Sequence, residues 1–221
     1  MKNLKRLGLW LLILAALFSQ QWLMRGYTMD DAFITFRYAR NAARGHGWVY
    51  NAGEPPVEGF TSFFWTALMV PVFHLGLKPM PVAQGLGMIS GILVLLLTFQ
   101  ITRAGITRPR GWMPFWAPVF LTATGAFTYH AVTGLETQLF TLAVTAAVFF
   151  FLRRSRAALA LSALCFLAAT LTRPEGLPLF ILSLLFLIGW WSQRDEDFSS
   201  LLLFALLRSE ERRVGKECAT G

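Results

Sequence analysis

The chain is a succession of apolar runs separated by short polar connections. The first run, residues 7–24, follows three basic residues, a pattern shared by cleaved signal peptides and uncleaved signal anchors. Because the run is long and further runs follow it, we predict an uncleaved anchor helix. The later runs approach the ~20 residues that a membrane-crossing helix needs. They cover residues 82–101, 112–131, 136–152, 157–172 and 177–191. The pattern predicts an all-α fold, a polytopic transmembrane helical bundle.

Composition agrees with this class. Of 221 residues, 55% are hydrophobic and only 14% are charged, whereas soluble domains are nearer one quarter charged. The mean hydropathy is +0.52. The net charge of +8 is spread between the apolar runs rather than gathered on one face. This charge therefore indicates which loops face the cytoplasm and its anionic lipid. We predict no nucleic-acid partner.

Basic connections predict the topology. The amino terminus and the connections 103–110 and 153–156 are rich in lysine or arginine and should be cytoplasmic. The first outer loop, 26–59, then lies outside. The run 60–77 is interrupted by a proline and a histidine, so we expect an interfacial helix there. The result is about six crossings of a bacterial cytoplasmic membrane. The outer side receives Asp30, Asp31, Glu136, Arg173 and Glu175.

The first outer loop contains a predicted juxtamembrane helix, 29–44. Thr28 and Asp31 have the spacing of a capping box. Phe33, Arg37, Arg40 and Arg44 then fall on one helical stripe. The sequence Gly45-His46-Gly47 is expected to end the helix. We assign Arg44 to a solvated face or to lipid headgroups.

Asp30 and Asp31 are the leading catalytic candidates. A carboxylate outside the membrane can accept a proton from a sugar hydroxyl as it attacks an anomeric carbon. The alternative is that both acids only complement the helix dipole. Arg37 and Arg40 have guanidinium groups that can bind phosphate in bidentate fashion, and Arg37 is nearest the acids. Their alternative is ordinary contact with lipid headgroups.

The remaining candidates have a structural alternative each. Glu136 begins a helix in a second predicted capping box with Thr133, and it can also face Asp30 as a second acid. Arg173 and Glu175 can bind substrate, or they can pair with each other or with lipid headgroups. His46, between two glycines, can touch an acceptor or be an exposed loop histidine.

Metal and cofactor signals are weak. Three scattered histidines and two cysteines show no zinc-ligand spacing. We predict no cofactor, although the Asp pair could bind a divalent cation.

The carboxyl-terminal part is different in character. An apolar run begins at 199–207 and stops, and residues 208–221 are polar without periodicity. We expect 1–207 to be the amino-terminal part of a larger transmembrane domain and 208–221 to be a truncation or frame artefact. A genuine cytoplasmic or interfacial tail is the alternative.

Several stretches resemble the GT-C membrane glycosyltransferases. They are residues 30–41, 45–51 and 57–65, with support from 134–137 and 171–176. Within that superfamily the similarity is greatest to the terminal arabinofuranosyltransferase type and its bacterial relatives, near the protein mannosyltransferases. Such enzymes are usually much longer than this chain.

This resemblance implies a polyprenyl-phosphate sugar donor, a glycan or lipid acceptor and an extracytoplasmic active site. It implies that one acid of the Asp30-Asp31 motif is the catalytic base and that Glu136 is a second acid. Glu58, within the 57–65 stretch, joins the substrate-binding candidates. A small-molecule transporter or flippase is a second hypothesis, but it should carry ionisable residues in mid-span, and these runs are almost free of charge. A non-catalytic membrane scaffold is the third.

Overall fold

The computed structural model describes residues 2–57, 59–105, 112–153 and 155–191, which form helices and loops without a strand in these ranges. The segments expected to end the apolar part, 199–207 and 208–221, lie outside the described residues, as does Glu58. The helices are α1 Lys2–Met24, α2 Asp30–Ala43, α3 Phe63–His74, α4 Pro79–Gly105, α5 Trp116–Ala123, α6 Gly125–His130, α7 Thr137–Phe151, α8 Arg156–Thr172 and α9 Gly176–Trp191. The predicted all-α class is confirmed for this part of the chain.

The chain divides into two compact units, Met1–Leu142 and Ala143–Gly221. In the first unit, α2 and α3 pack against the start of α4. Their shared core contains Ala32, Phe36, Ala39, Trp65, Met69, Val72 and Ala83. A second core joins α1 to α4, α5 and α6 through Ile13, Leu17, Val94, Leu95, Phe115 and Phe127. In this way one face of α2 is held against α3 and α4.

The second unit consists of α8 and α9 packed with the end of α7. Its core is aromatic and aliphatic, and the buried Ser162 hydroxyl donates a hydrogen bond to the Ala147 carbonyl at 2.8 Å. Small and polar residues at helix contacts are typical of membrane bundles.

Two described helices, α1 from Leu4 to Met24 and α4, are long and apolar enough to cross a membrane. With 27 residues, α4 measures roughly 40 Å at 1.5 Å per residue. The helices α7, α8 and α9 have 15, 17 and 16 residues and are apolar but shorter. The count of about six crossings stays a prediction.

The run 112–131 does not form the single continuous helix that its hydropathy predicts, and its membrane crossing stays a prediction. A 3-10 turn at Met113–Phe115 leads into α5, and Thr124 then separates α5 from α6 with an extended backbone, φ −82° and ψ 109°. The Thr124 hydroxyl donates to the Phe120 carbonyl at 2.8 Å. Threonine competes locally for backbone partners and glycine, at position 125, is a poor helix former, which together explain the break.

The predicted interfacial segment 60–77 contains α3, whose 12 residues extend roughly 18 Å. This is less than the bilayer thickness of about 30 Å. The helix is terminated two residues beyond His74 by Gly76, which has φ +66°. The Leu77 and Gly76 amides bond back to the Val72 and Phe73 carbonyls at 3.0 and 3.1 Å. This is the double hydrogen bond of a Schellman end, and it turns the chain directly into α4.

Candidate active site

The start of α2 differs from the predicted capping box. The helix begins at Asp30, its N-cap is Met29, and that cap makes no side-chain hydrogen bond. Met29 is extended because its amide donates to the Thr133 carbonyl at 3.3 Å in a distant turn. Thr28 therefore lies one residue too early to cap. Asp30 and Asp31 remain in the first turn, where their charge complements the helix dipole.

The other end of α2 is as predicted. The His46 amide bonds to the Asn41 carbonyl and the Gly45 amide to the Ala42 carbonyl, both at 3.0 Å. Gly45 and Gly47 each have φ +80°, a conformation that glycine adopts without steric cost. The glycines reverse the chain, so residues 46–57 run back along the helix they have just left. We call this segment the strap.

The strap is bound to α2 by three side chains of that helix. The Asn41 amide donates to the Val49 and Tyr50 carbonyls, both at 2.9 Å. Arg37 Nε donates to the same Tyr50 carbonyl at 2.9 Å, and Arg37 Nη2 donates to Asn51 Oδ1. The Arg37 guanidinium also lies 4.1 Å from the centre of the Tyr50 ring, within range of a cation–π interaction.

Tyr38 is the third of these side chains. It is 1% exposed, and its hydroxyl donates to the Val57 carbonyl at 2.8 Å. Its ring lies 4.5 Å from the Phe60 ring, centre to centre. Burial raises the pKa of Tyr38 above its ordinary value, the nearby Tyr50 raises it further, and a bond with the Gly59 backbone opposes both. A buried neutral hydroxyl thus fixes the far end of the strap.

An open groove of about 1030 Å³ lies beside α2 and the strap. It brings together four of the predicted site residues, Asp30, Arg37, Arg40 and His46. Arg44, assigned from the sequence to a solvated face or to lipid headgroups, also lines it. The other lining residues are Phe33, Ile34, Phe36, Asn41, Tyr50, Asn51, Ala52, Glu54, Phe73 and Pro79.

Helical geometry explains this selection. Asp30, Arg37 and Arg44 are spaced at seven residues, close to two turns, so they share one side of α2. Asp31 is rotated by about 100° from Asp30. It is exposed but does not line the groove. The two neighbouring acids therefore face different surroundings.

Charge in the groove is mixed. Three guanidinium groups and two carboxylates, Asp30 and Glu54, line it. Arg40 and Arg44 are exposed and, within the described residues, their side chains have no hydrogen-bond or ion-pair partner. Arg37, by contrast, has committed Nε and Nη2 to the strap and has Nη1 left for a ligand. No group of three potential metal ligands occurs among the described residues.

Glu136 is half-buried and stands outside the groove lining. The predicted capping box between Thr133 and Glu136 is wrong, because α7 begins at Thr137. Glu136 precedes this helix, and its carbonyl accepts a hydrogen bond from the Phe140 amide at 2.9 Å. The Thr133 hydroxyl instead donates to the His130 carbonyl at 3.4 Å. The turn before Glu136 does lie against the start of α2, where the Met29 amide donates to the Thr133 carbonyl. It also lies against α3, because the Gly134 carbonyl accepts from the buried Trp65 Nε1 at 3.2 Å.

Arg173 and Glu175 belong to the second unit. They form an ion pair of 3.3 Å with each other, the structural alternative that the sequence offered. The pKa of Glu175 is lowered, first by its own backbone amide and then by Arg173. Both side chains keep substantial exposure, 35% and 60%, so this pair contributes little to stability.

Sequence reasoning missed two groove residues, Asn51 and Glu54. The Asn51 amide donates to Glu54 Oε2 at 2.7 Å, while Asn51 Oδ1 accepts from Arg37. The only sequence signal was an asparagine followed three residues later by an acid, within a turn containing glycine. That pattern is common in loops, and it does not reveal that the turn folds back over the groove.

Comparison with known proteins finds a distant likeness. The chain is 31% identical over 143 residues, 61% of its length, to the terminal beta-(1->2)-arabinofuranosyltransferase of Mycobacterium tuberculosis. It spans 22% of the length of that relative. No family model and no solved structure matches the chain. The similarity supports the predicted GT-C-like relationship at the level of a membrane glycosyltransferase.

Proposed function

We propose that this chain forms part of a membrane glycosyltransferase that moves a sugar from a polyprenyl-phosphate donor to an envelope glycan or lipid acceptor on the extracytoplasmic face. The observation that supports it best is the groove beside α2, which Asp30 lines together with Arg40 and Arg44, two arginines whose side chains have no hydrogen-bond or ion-pair partner among the described residues. A base next to phosphate-binding groups is what such a transfer requires. The likeness to an arabinofuranosyltransferase supports the same class of reaction.

In this proposal, Asp30 is the general base. Its carboxylate accepts the proton of an acceptor hydroxyl as that oxygen bonds to the anomeric carbon. The bond from this carbon to the phosphate oxygen breaks, and its electron pair leaves with the polyprenyl phosphate. The configuration at the anomeric carbon inverts. Asp31 keeps the dipole-complementing role, because its carboxylate lies outside the groove.

Arg40 is the residue we assign to the donor phosphate. Its Cα lies about 15 Å along the helix axis from that of Asp30, and side chains on a helix lean toward its amino terminus. The gap left between carboxylate and guanidinium suits a sugar phosphate. Arg37 also lines the groove, and its Nη1, which makes no hydrogen bond to a described residue, can share the phosphate charge. Phe33, Ile34 and Phe73 line the groove and offer an apolar wall for the first prenyl units.

Substitution of the two acids tests the base. In membranes containing the complete transferase of which we propose that this chain forms part, supplied with radiolabelled polyprenyl-phosphate sugars including arabinofuranose, Asp30→Asn should lower transfer by about 10²–10⁴-fold. The matched variant at the neighbouring acid, Asp31→Asn, should lower transfer by less than about tenfold, because it removes only a charge that complements the helix dipole. Full activity in the double variant, or no transfer of any offered sugar by the wild type, would overturn the proposal.

Arg40→Gln tests the phosphate assignment. The loss of one charge-assisted contact should raise the donor KM roughly tenfold. Arg25→Gln is a matched control, because the Arg25 guanidinium lies over the Trp22 ring at 3.5 Å and does not line the groove. An unchanged donor KM in Arg40→Gln would contradict the assignment and leave the base proposal standing.

A further inference from the structure

The strap presents a second carboxylate to the groove, and this carboxylate is held by a chain of hydrogen bonds. The chain begins at Arg37 on α2, passes through both ends of the Asn51 amide, and ends on Glu54 Oε2. Asn51 can serve both neighbours only with its oxygen toward Arg37 and its nitrogen toward Glu54. The guanidinium therefore determines how the amide is turned, and the amide determines where the carboxylate lies.

Glu54 has binding capacity left over. It is exposed and lines the groove, and among the described residues its side chain bonds only to Asn51 through one oxygen. An ionised carboxylate has about four acceptor sites and no donor. Its partners are hydrogen-bond donors, hydroxyl groups among them, and bonds from hydroxyls to a carboxylate are short and stronger than those between neutral groups. A sugar with two neighbouring hydroxyls meets this requirement.

We propose that Glu54 binds hydroxyl groups of the acceptor saccharide, and that Asn51 and Arg37 are positioning residues acting through it. The inference rests on the proposed transfer reaction, since it assigns the acceptor side of the groove to the strap. Asp30 lies on α2 and Glu54 on the strap, so a saccharide held by Glu54 would lie between the strap and the base. Arg37 gains a role that differs from phosphate binding.

Acceptor binding can be measured apart from transfer. The full chain in lipid nanodiscs is titrated by calorimetry with the methyl glycoside of an arabinofuranosyl disaccharide. Its permethylated analogue, which has no hydroxyl donor, serves as the matched ligand. Glu54→Gln should weaken binding of the free disaccharide about tenfold, and permethylation should weaken wild-type binding by at least as much. Permethylation should lower the affinity of Glu54→Gln by clearly less than that of the wild type, because the variant has already lost the charged acceptor.

Asn51→Asp separates positioning from folding. Aspartate keeps an acceptor for Arg37 but cannot donate to Glu54, and it adds a like charge beside it. Disaccharide binding should fall as in Glu54→Gln, while amide hydrogen exchange of residues 46–57 stays at the wild-type level. Arg37→Gln should both weaken binding and speed that exchange. Thr61→Ala, exposed and outside the groove lining, is the control for both measurements.

The outcomes separate the two proposals. Equal binding of the free disaccharide by wild type, Glu54→Gln and Asn51→Asp would overturn the role of Glu54, as would an absence of wild-type binding. Binding that depends on Glu54, in membranes that transfer no sugar, would support the saccharide site and overturn the transferase.

Discussion

Single hydrogen bonds decide the shape of this groove. Tyr38 and Asn41 are almost completely buried, and each directs its polar atoms to carbonyls of the strap. A buried polar group left without a partner costs about 1–3 kcal/mol, so each bond stabilises one arrangement of the strap over its alternatives. Gly59 shows how closely the parts fit, because a Cβ at this position would overlap the Tyr38 hydroxyl.

The pH dependence of folding stability in Tyr38→Phe should reveal the hydrogen bond from Tyr38 to the Val57 carbonyl. At pH 8 the variant should be about 1 kcal/mol less stable than the wild type, since the Val57 carbonyl loses its donor. The folded-state pKa of Tyr38 is raised above 10.0, so its stabilising contribution is complete below the unfolded pKa. It is lost as pH rises through the folded pKa. The stability difference between wild type and variant should therefore shrink above about pH 10.

The measurement is thermal unfolding in detergent by circular dichroism from pH 8 to 11. Tyr27→Phe, at a tyrosine that is 64% exposed, should leave stability at pH 8 unchanged. A difference between wild type and Tyr38→Phe that stays constant up to pH 11 would contradict the burial of a neutral hydroxyl.

At the scale of elements, glycines set where helices end and how closely they approach. The reversal after α2 uses Gly45 at φ +80°, and a Cβ there would meet no atom within 4 Å. Gly87 in α4 is the opposite case, because its backbone conformation is ordinary but a Cβ would overlap the Ala131 carbonyl oxygen. One glycine is needed for conformation and the other for space.

Gly45→Ala should destabilise the chain by backbone strain alone, about 1–2 kcal/mol. The melting temperature should fall by a few degrees. Gly45→Asn should cost less, because asparagine tolerates the left-handed region better. Gly26→Ala is the control, since it has open space and no positive φ. If the alanine and asparagine variants melt at the wild-type temperature, the helix end does not depend on glycine.

Gly87→Ala should also destabilise, here because the carbonyl it meets belongs to the backbone and cannot rotate away. Overpacking of this kind costs roughly 1–3 kcal/mol. Gly85→Ala, two residues earlier in the same helix and with nothing within 4 Å, should be neutral or stabilising because alanine favours helix. Comparing the melting temperatures of the two variants isolates the contact between Gly87 in α4 and the Ala131 carbonyl. Equal melting temperatures would exclude this contact.

The sequence predicted α2 well and its surroundings poorly, for physical reasons. The stripe of Phe33, Arg37, Arg40 and Arg44 follows from helical spacing, and all four residues line the groove. The end at Gly45 follows from glycine. The direction of the strap depends on tertiary contacts that no local pattern contains, so Glu54 was missed. The break at Thr124 was missed because hydropathy measures side chains and not the competition for backbone partners.

At the scale of the whole molecule, the distribution of charge supports a location in the membrane. Between Pro79 and Thr102, α4 contains no charged residue, and Arg103 stands at its end. The candidate residues of α2 and the strap lie in a polar stretch between α1 and α3. A membrane orientation derived from basic connections therefore predicts on which side the groove opens, and this can be tested without assuming any chemistry.

Cysteine labelling gives the test. In a background carrying Cys165→Ala and Cys218→Ser, an impermeant maleimide added to intact cells should label His46→Cys and Glu175→Cys. It should not label Arg108→Cys or Ser155→Cys until the membrane is permeabilised, because basic connections stay in the cytoplasm. Permeabilised cells thus show that each thiol is reactive. Labelling of position 155 in intact cells would refute the six-crossing arrangement. Protection of position 46 would place the groove in the cytoplasm, away from any extracytoplasmic donor, and the proposed transferase would fail with it.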